Sequence, residues 1–211
     1  MRIITGKYKG RHFDIPRSFK ARPTTDFAKE NIFNVLNGYM DLEGTTALDL
    51  FAGTGSITLE LISRGCSRVV CVEADRDHHR FICDCLTKLG WKAEGGRTGR
   101  NTSVAGQTVQ SATAEQATES TVPSFPDVIP LRGDVFRFIK GSHQQFDFIF
   151  ADPPYALDKL SSIPDLVFAN NLLKPDGIFV FEHGKNNDFS HHPHFLEHRT
   201  YGSVNFSLFR V

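Results

Sequence analysis

The sequence predicts an α/β protein whose mostly parallel sheet is covered by helices on both faces. From residue 45 onward, short apolar runs alternate with segments whose apolar residues recur at helical spacing, and this alternation is typical of parallel sheets. The 211 residues are 40% hydrophobic and 23% charged, which fits one globular domain with room for a small extension. No apolar run is long enough for a membrane-spanning helix.

Residues 1–43 are predicted to form a basic extension made of a hairpin and a helix. Residues 1–22 carry seven Lys or Arg against Asp14 alone, whereas the whole chain has 24 residues of each sign and no net charge. Aromatic residues interleave with these charges and can stack on bases, so the hairpin over residues 2–4 and 12–15 is expected to contact RNA or DNA. The alternative is an ordinary solvated hairpin. The predicted contacts are Arg2, Lys7, Tyr8, Lys9, Arg11 and Arg22.

A helix is expected next, because Thr25 or Asp26 can cap its N-terminus. Pro23 keeps Arg22, the residue that precedes it, extended. It should end near Gly38 or Asp41. The domain over residues 44–211 then contains seven predicted strands, at 46–50, 68–73, 128–131, 146–151, 178–182, 196–201 and 204–210. Helices are predicted at 56–64, 76–89, 135–140 and 157–170.

The segment over residues 92–126 does not fit this alternation. It contains ten Ser or Thr, four Gly and only four sizeable apolar residues. Such a composition cannot bury enough surface to offset the entropy of ordering the chain. The segment is therefore predicted to be a flexible insertion, with a partner-binding loop as the alternative.

Cysteine and histidine spacing predict no metal site. The four cysteines include no Cys-x-x-Cys pair and are expected to be reduced and mostly buried. Five of the nine histidines fall between residues 183 and 198 without a matching Cys or Asp pattern, so an exposed loop is expected there.

The first motif with chemical content follows the first parallel strand. Its glycines would let a ligand approach the backbone, but Thr58 stands where a dinucleotide site needs a third glycine, so a ligand without a pyrophosphate fits better. Glu73, the carboxylate at the end of the second strand, is expected to accept hydrogen bonds from ribose hydroxyls. Asp134 is expected to accept one from an adenine amino group, or else to cap the next helix. The predicted cofactor contacts here are Asp49, Phe51, Ala52, Gly53, Thr54, Gly55, Glu73, Asp134 and Val135.

The second motif follows the strand over residues 146–151 and consists of Asp152, Pro153, Pro154 and Tyr155. Adjacent prolines fix an extended backbone and donate no hydrogen bonds, so the neighbourhood presents the acceptors of Asp152 and of the carbonyls around Pro153. The aromatic ring adds a stacking face. Together these groups suit the exocyclic amine of a planar base, and all four residues are predicted to be catalytic.

These motifs resemble class I S-adenosylmethionine-dependent amino-methyltransferases and, more closely, the RsmD family of ribosomal RNA guanine-N2 methyltransferases. The resemblance covers nearly the whole chain except the insertion. The matching segments are Arg2-Ile3-Ile4-x-Gly6-x-Tyr8-x-Gly10-Arg11, Arg22-Pro23-Thr24-Thr25-Asp26, Asn31-x-Phe33-Asn34, the Phe-Ala-Gly-Thr-Gly turn and Asp152-Pro153-Pro154-Tyr155.

The resemblance implies a Rossmann-like sheet, S-adenosylmethionine as the cofactor, and methyl transfer to the N2 amine of a guanine in 16S rRNA. It implies that the substrate is this RNA or the assembling small ribosomal subunit. It also implies that Arg22, Thr24 and Thr25 lie over the cofactor or near the target base. A cytoplasmic monomer that needs neither metal nor membrane is expected.

Three other functions stay open at this point. A DNA methyltransferase acting on adenine N6 or cytosine N4 can use the same tetrapeptide, although the chain has no segment for a separate sequence-reading domain. A non-catalytic RNA-binding protein is disfavoured by the intact Asp152 and Tyr155. A nicotinamide-dependent oxidoreductase is disfavoured by Thr58, and calorimetry with the two cofactors would separate it from a methyltransferase.

Overall fold

The computed structural model describes residues 1–19, 25–92 and 125–211. The predicted insertion therefore lies almost entirely outside the described residues, as do Arg22 and Thr24. In these three ranges, no helix combines the length and the apolar character needed to cross a membrane.

Seven strands form one sheet in the order β3-β2-β1-β4-β5-β7-β6. Strands β1 to β5 are parallel, and β7 runs antiparallel to both of its neighbours. This arrangement confirms the predicted seven-stranded, mostly parallel sheet. The strands are β1 (Thr46–Leu50), β2 (Arg68–Glu73), β3 (Asp127–Arg132), β4 (Phe146–Ala151), β5 (Leu173–His183), β6 (Phe195–Tyr201) and β7 (Val204–Arg210).

Five α-helices cover the two faces of the sheet. Helices α1, α2 and α3 contribute to one hydrophobic cluster, and α4 and α5 contribute to the cluster on the opposite face. Ile3, Phe13 and the buried apolar residues of α1 belong to the first cluster, so the N-terminal segment packs against the sheet domain. The helices are α1 (Asp26–Leu36), α2 (Ser56–Ser63), α3 (Arg76–Leu89), α4 (Val135–Gly141) and α5 (Ile163–Ala169).

The N-terminal segment forms the predicted short hairpin. Its one assigned bridge in the described residues joins Arg2 and His12 in antiparallel orientation, and the amides of Ile3 and Phe13 donate to the oxygens of Arg11 and Met1, both at 3.0 Å. In the turn, the backbone amides of Lys7 and Tyr8 bond to Ser63, at 2.7 Å from its carbonyl oxygen and 2.9 Å from its hydroxyl. A Cβ at Gly6 would overlap the Ser63 carbonyl oxygen, so glycine permits this close contact. The turn thus docks on the end of α2.

The predicted extent of one helix was wrong. The expected helix over residues 157–170 is a short 3-10 turn at Leu160–Ser162 followed by α5. Pro164 lies in the first turn of α5, where its ring is tolerated, but it would clash with a helix that continued from the preceding turn. Helix α1 ends at Leu36 with Asn37 as its C-cap, close to the predicted end near Gly38.

His183 is also not in an exposed loop. It ends β5 with 1% of its surface exposed, and its Nε2 lies 2.9 Å from the Ser207 hydroxyl. Burial lowers the pKa of this imidazole. The strand β5 begins earlier than predicted, at Leu173, and runs to His183. His198 lies in β6, so two of the five clustered histidines belong to the sheet.

Candidate active site

The carboxyl ends of four parallel strands meet at one edge of the sheet. Leu50 at the end of β1 is paired with Val72 on β2 and with Ala151 on β4, and Ala151 is paired with Phe181 on β5. Residues that directly follow these positions therefore lie side by side. Ligands in open α/β sheets bind at this edge.

The turn after β1 has an unusual backbone. Phe51, Gly53 and Gly55 all have positive φ, at 62°, 55° and 76°. At Gly55 a Cβ would lie 2.9 Å from Cγ1 of Ile82, so both φ and the close packing of α3 require glycine. At Gly53 an added Cβ would meet only the Phe51 oxygen, at 3.8 Å, so the turn is open on that side.

Glu73 holds this turn against the end of β2. Its Oε2 accepts a hydrogen bond from the Gly53 amide at 2.7 Å, and its Oε1 accepts one from the Asp75 amide at 2.7 Å. The Ala52 amide also donates to the Val72 oxygen at 3.0 Å. The carboxylate predicted to bind ribose is therefore fixed at the rim of the turn by two backbone amides.

Asp49 lies below the turn, with 1% of its surface exposed. Its Oδ2 accepts hydrogen bonds from the amide and the hydroxyl of Thr58, at 2.9 and 2.5 Å. Burial raises the pKa of Asp49 to about 7, against the opposing effect of the Thr58 bonds. In the structure this side chain supports α2 from beneath. Thr58, which replaces the third glycine of a dinucleotide motif, is its partner.

The other predicted cofactor contacts that the structure describes lie at or just before the starts of α4, α2 and α1. Asp134 is exposed and caps α4, where its Oδ1 accepts from the Arg137 amide at 2.8 Å, and Val135 is buried beside it. Thr54 is buried, and its hydroxyl lies 3.5 Å from the Met1 sulfur. Thr25 caps α1 by accepting from the Ala28 amide at 3.1 Å.

The Asp-Pro-Pro-Tyr segment follows β4, next to the glycine turn. The Asp152 amide lies 3.4 Å from the Leu50 oxygen, which joins this segment to the strand that leads into the turn. Pro153 is buried and Pro154 is exposed. Tyr155 is 49% exposed, and its hydroxyl donates to Oε1 of Glu182 at 3.0 Å. The two predicted motifs therefore come together at one edge.

The predicted nucleic-acid contacts lie on the N-terminal segment. Lys7, Lys9 and Arg11 are exposed, and the Lys7 ammonium lies 5.5 Å from the centre of the half-buried Tyr8 ring. Arg2 is partly exposed and forms an ion pair with Asp26 at 3.3 Å. The exposed lysines and arginine give this surface the positive charge that a phosphate backbone attracts.

A buried ion network that sequence analysis missed joins this segment to α2. Lys29 and Glu60 are fully buried, and their charged atoms lie 3.7 Å apart. Glu60 also accepts from the amides of Ile4 and Thr5, at 2.8 and 3.0 Å, and from Arg64 at 3.0 Å. An acid between Leu59 and Leu61 was the available signal, because an apolar helix face seldom carries an unpartnered charge.

Comparison with known proteins shows the family. Residues 1–121 and 126–210 match the family model described as "Conserved hypothetical protein 95". The chain belongs to this family. The protein YlbH of Bacillus subtilis is 32% identical over 190 residues, which is 88% of this chain and 83% of that relative.

A second relative of this chain carries a functional name. "Ribosomal RNA small subunit methyltransferase D" of Haemophilus influenzae is 28% identical over 214 residues and covers 100% of this chain and 93% of its own length. The resemblance to RsmD proteins is confirmed by the family match and by this relative.

Solved structures show that this chain has the class I methyltransferase fold. Protein TTHA0928 of Thermus thermophilus aligns with a TM-score of 0.73 at 24% identity and covers 100% of this chain and 99% of its own. The Thermus thermophilus 16S rRNA N2 G1207 methyltransferase RsmC, solved with AdoMet and guanosine, aligns with a TM-score of 0.60 at 18% identity. That match covers 91% of this chain and 44% of RsmC.

Proposed function

We propose that this protein transfers a methyl group from S-adenosylmethionine to the N2 amine of a guanine in 16S ribosomal RNA. One observation carries the proposal. The glycine turn after β1 and the Asp-Pro-Pro-Tyr segment after β4 are adjacent, and the Asp152 amide lies 3.4 Å from the Leu50 oxygen. A cofactor held by the turn would lie beside a base held by the segment. Family membership and the name of the Haemophilus influenzae relative support the same activity.

The residues around the turn fit S-adenosylmethionine. Gly53 leaves the turn open on one side, so a ligand can contact the backbone there. Glu73 is anchored by two amides at the rim and would accept hydrogen bonds from the ribose hydroxyls, while Asp134 at the start of α4 would accept one from the adenine amine. When bound, this cofactor supplies a methyl group that its sulfonium already makes electrophilic.

The chain's own contribution is to orient the amine that attacks. The lone pair of an aromatic amine is delocalised into the ring, so the amine is a weak nucleophile. The Asp152 carboxylate and the carbonyl oxygen near Pro153 accept hydrogen bonds from its N–H groups and stabilise the positive charge that develops on nitrogen. One amine proton is then released, to the Asp152 carboxylate or to solvent. Tyr155, half exposed at the same edge, stacks on a base held out of its helix or loop. Correct positioning can supply roughly 7–11 kcal/mol of the rate gain.

The proposal extends to the working form of the enzyme. The exposed basic residues of the N-terminal segment bind the RNA backbone. The enzyme acts as a cytoplasmic monomer on ribosomal RNA or the assembling small subunit, and it uses no metal because the methyl group needs no further activation.

The test measures methyl transfer and cofactor binding separately. Asp152→Ala should lower transfer of radiolabelled methyl to small-subunit RNA by about 100-fold or more, while calorimetry finds a similar affinity for S-adenosylmethionine. Asp158→Ala removes an exposed carboxylate nearby and should leave transfer unchanged. Nucleoside mass spectrometry then identifies the methylated base. Unchanged transfer by Asp152→Ala, or methylation of DNA rather than RNA, would refute the proposal.

A further inference from the structure

Glu182 lies level with Asp152 on the neighbouring strand. Ala151 on β4 is paired with Phe181 on β5, and the next residue along each strand is the acid. Side chains alternate between the faces of a strand. Ala151 and Phe181 belong to the cluster on one face, so both acids project toward the other face, where α1 and α2 pack. Adjacent strands are about 4.8 Å apart, so the two acids extend from neighbouring backbone positions at the candidate active site.

Glu182 is buried in an unusual setting for an acid. It follows four apolar residues of β5 and is only 4% exposed. Withdrawing a carboxylate from water is costly, and such groups concentrate at functional sites. Its Oε1 accepts from the Tyr155 hydroxyl at 3.0 Å. A carboxylate has about four lone-pair positions, so it can accept several hydrogen bonds at once.

Tyr155 defines where a stacked base would meet this acid. Its ring packs against Gly184, where an added Cβ would lie 3.5 Å from Cδ2 of the tyrosine. The ring is nevertheless 49% exposed, so it can offer surface to a base. The hydroxyl end of the ring points at Glu182. A base stacked on Tyr155 would therefore place one of its edges beside Glu182.

We propose that Glu182 selects guanine by accepting hydrogen bonds from N1–H and from one hydrogen of the N2 amine. This inference rests on the proposed function and adds the residue that determines base specificity. Guanine presents these two donors next to each other, and an ionised carboxylate is an acceptor-only group that matches both. Adenine at N1 and cytosine at N3 present lone pairs instead, which a carboxylate repels.

The same arrangement divides the two hydrogens of the reacting amine between two strands. Glu182 takes the N2 hydrogen nearer to N1, and Asp152 or the carbonyl near Pro153 takes the hydrogen nearer to N3. The spacing of adjacent strands suits acceptors on opposite sides of one amine. Glu182 thus sets which base enters, while Asp152 orients the nitrogen that reacts.

The test compares two bases at the target nucleotide that mass spectrometry identifies. Synthetic RNAs carry either guanine or 2-aminopurine, which keeps the N2 amine but has a lone pair at N1. The wild-type enzyme should methylate guanine about 10- to 100-fold faster in single turnover. Glu182→Gln keeps an oxygen for the Tyr155 hydroxyl but offers an N–H to N1. This variant should slow guanine methylation by a similar factor and remove or reverse the preference.

Tyr155→Phe separates base selection from simple support of the ring. It removes the hydroxyl bond to Glu182 and keeps the stacking face, so the ratio between the two bases should stay as in the wild type. An unchanged ratio in Glu182→Gln, or a Tyr155→Phe variant that loses the preference equally, would overturn the inference.

The wild-type measurement decides the question even if Glu182→Gln does not fold. Equal rates on guanine and 2-aminopurine would exclude a guanine-selecting carboxylate while leaving the proposed function intact. Methylation of neither base would overturn the proposed function, and the inference with it.

Discussion

Two buried carboxylates attach helix α2 to its surroundings in different ways. On the sheet side, Asp49 bonds to the amide and hydroxyl of Thr58. On the side of the N-terminal segment, Glu60 contacts Lys29 and Arg64 as well as two backbone amides. Both acids are essentially inaccessible to water. The charge of Glu60 is matched by cations, whereas burial raises the pKa of Asp49 to about 7.

The difference matters because α2 begins immediately after the glycine turn. Lys29 donates to the Ser56 hydroxyl at 3.0 Å and to the Arg2 oxygen at 2.6 Å, so one ammonium links α1, the N-terminal segment and the first residue of α2. The Glu60 side therefore depends on charge pairing across three elements. The Asp49 side depends on a protonation equilibrium beneath the candidate cofactor site.

The largest expected effect comes from Lys29→Met, which leaves the fully buried Glu60 with one cation fewer. Removing one partner of a buried pair should lower the free energy of unfolding by about 3–5 kcal/mol. Urea denaturation followed by circular dichroism measures this loss. Lys88→Met on the exposed face of α3 is the control and should change stability by less than about 0.5 kcal/mol. Equal effects of the two substitutions would show that the Glu60 network contributes little.

A pH-dependent effect should distinguish the Asp49 side. The pKa of Asp49 is raised from 3.8 to about 7 on folding because of burial, so the folded protein binds a proton that the unfolded chain has lost. The contribution of protonated Asp49 to the free energy of unfolding is fully present below pH 3.8 and is lost as pH rises through about 7. Asp49→Asn, which stays neutral, should reduce the decline in unfolding free energy between pH 5 and 7 by about 1–2 kcal/mol.

The control for this pH series is Asp84→Asn on the exposed side of α3. Its decline in stability between the two pH values should match that of the wild type. If Asp49→Asn also matches the wild type, Asp49 is ionised in the folded state and the contrast between the two sides of α2 disappears.

Some parts of the molecule could be predicted from short stretches of its sequence. The strands β1, β2, β4 and β7 begin and end as the apolar runs predicted. For β1, β2 and β4 the reason is that buried parallel strands need continuous apolar segments, and the antiparallel strand β7 is likewise buried along most of its length. The two motifs could be placed at one edge for a similar reason, since each follows a parallel strand. Pro164 could also have corrected the predicted helix over residues 157–170, because its effect on the backbone is local.

The ion network and Glu182 required tertiary information. Lys29 and Glu60 are 31 positions apart in the sequence, and a lysine on an amphipathic helix is ordinarily solvated, so nothing local identifies its partner. Glu182 needed the register between β4 and β5 to place it beside Asp152. In both cases an acid within or directly after an apolar run was the signal, and that signal marks burial without naming a function.

The smallest expected effect separates the stacking of Arg64 on Phe33 from the positive charge that Arg64 brings to Glu60. The Arg64 guanidinium carbon lies 4.3 Å from the centre of the Phe33 ring, while its Nε contacts Glu60 at 3.0 Å. Arg64→Lys keeps the positive charge but loses the planar group that stacks on the ring. A double-mutant cycle with Phe33→Leu, measured by urea denaturation, should give a coupling energy of about 1 kcal/mol. Packing losses from replacing the ring by leucine cancel in the cycle. A coupling near zero would mean that the contact between Arg64 and Phe33 adds nothing to stability, so that Arg64 contributes through its ion pair with Glu60.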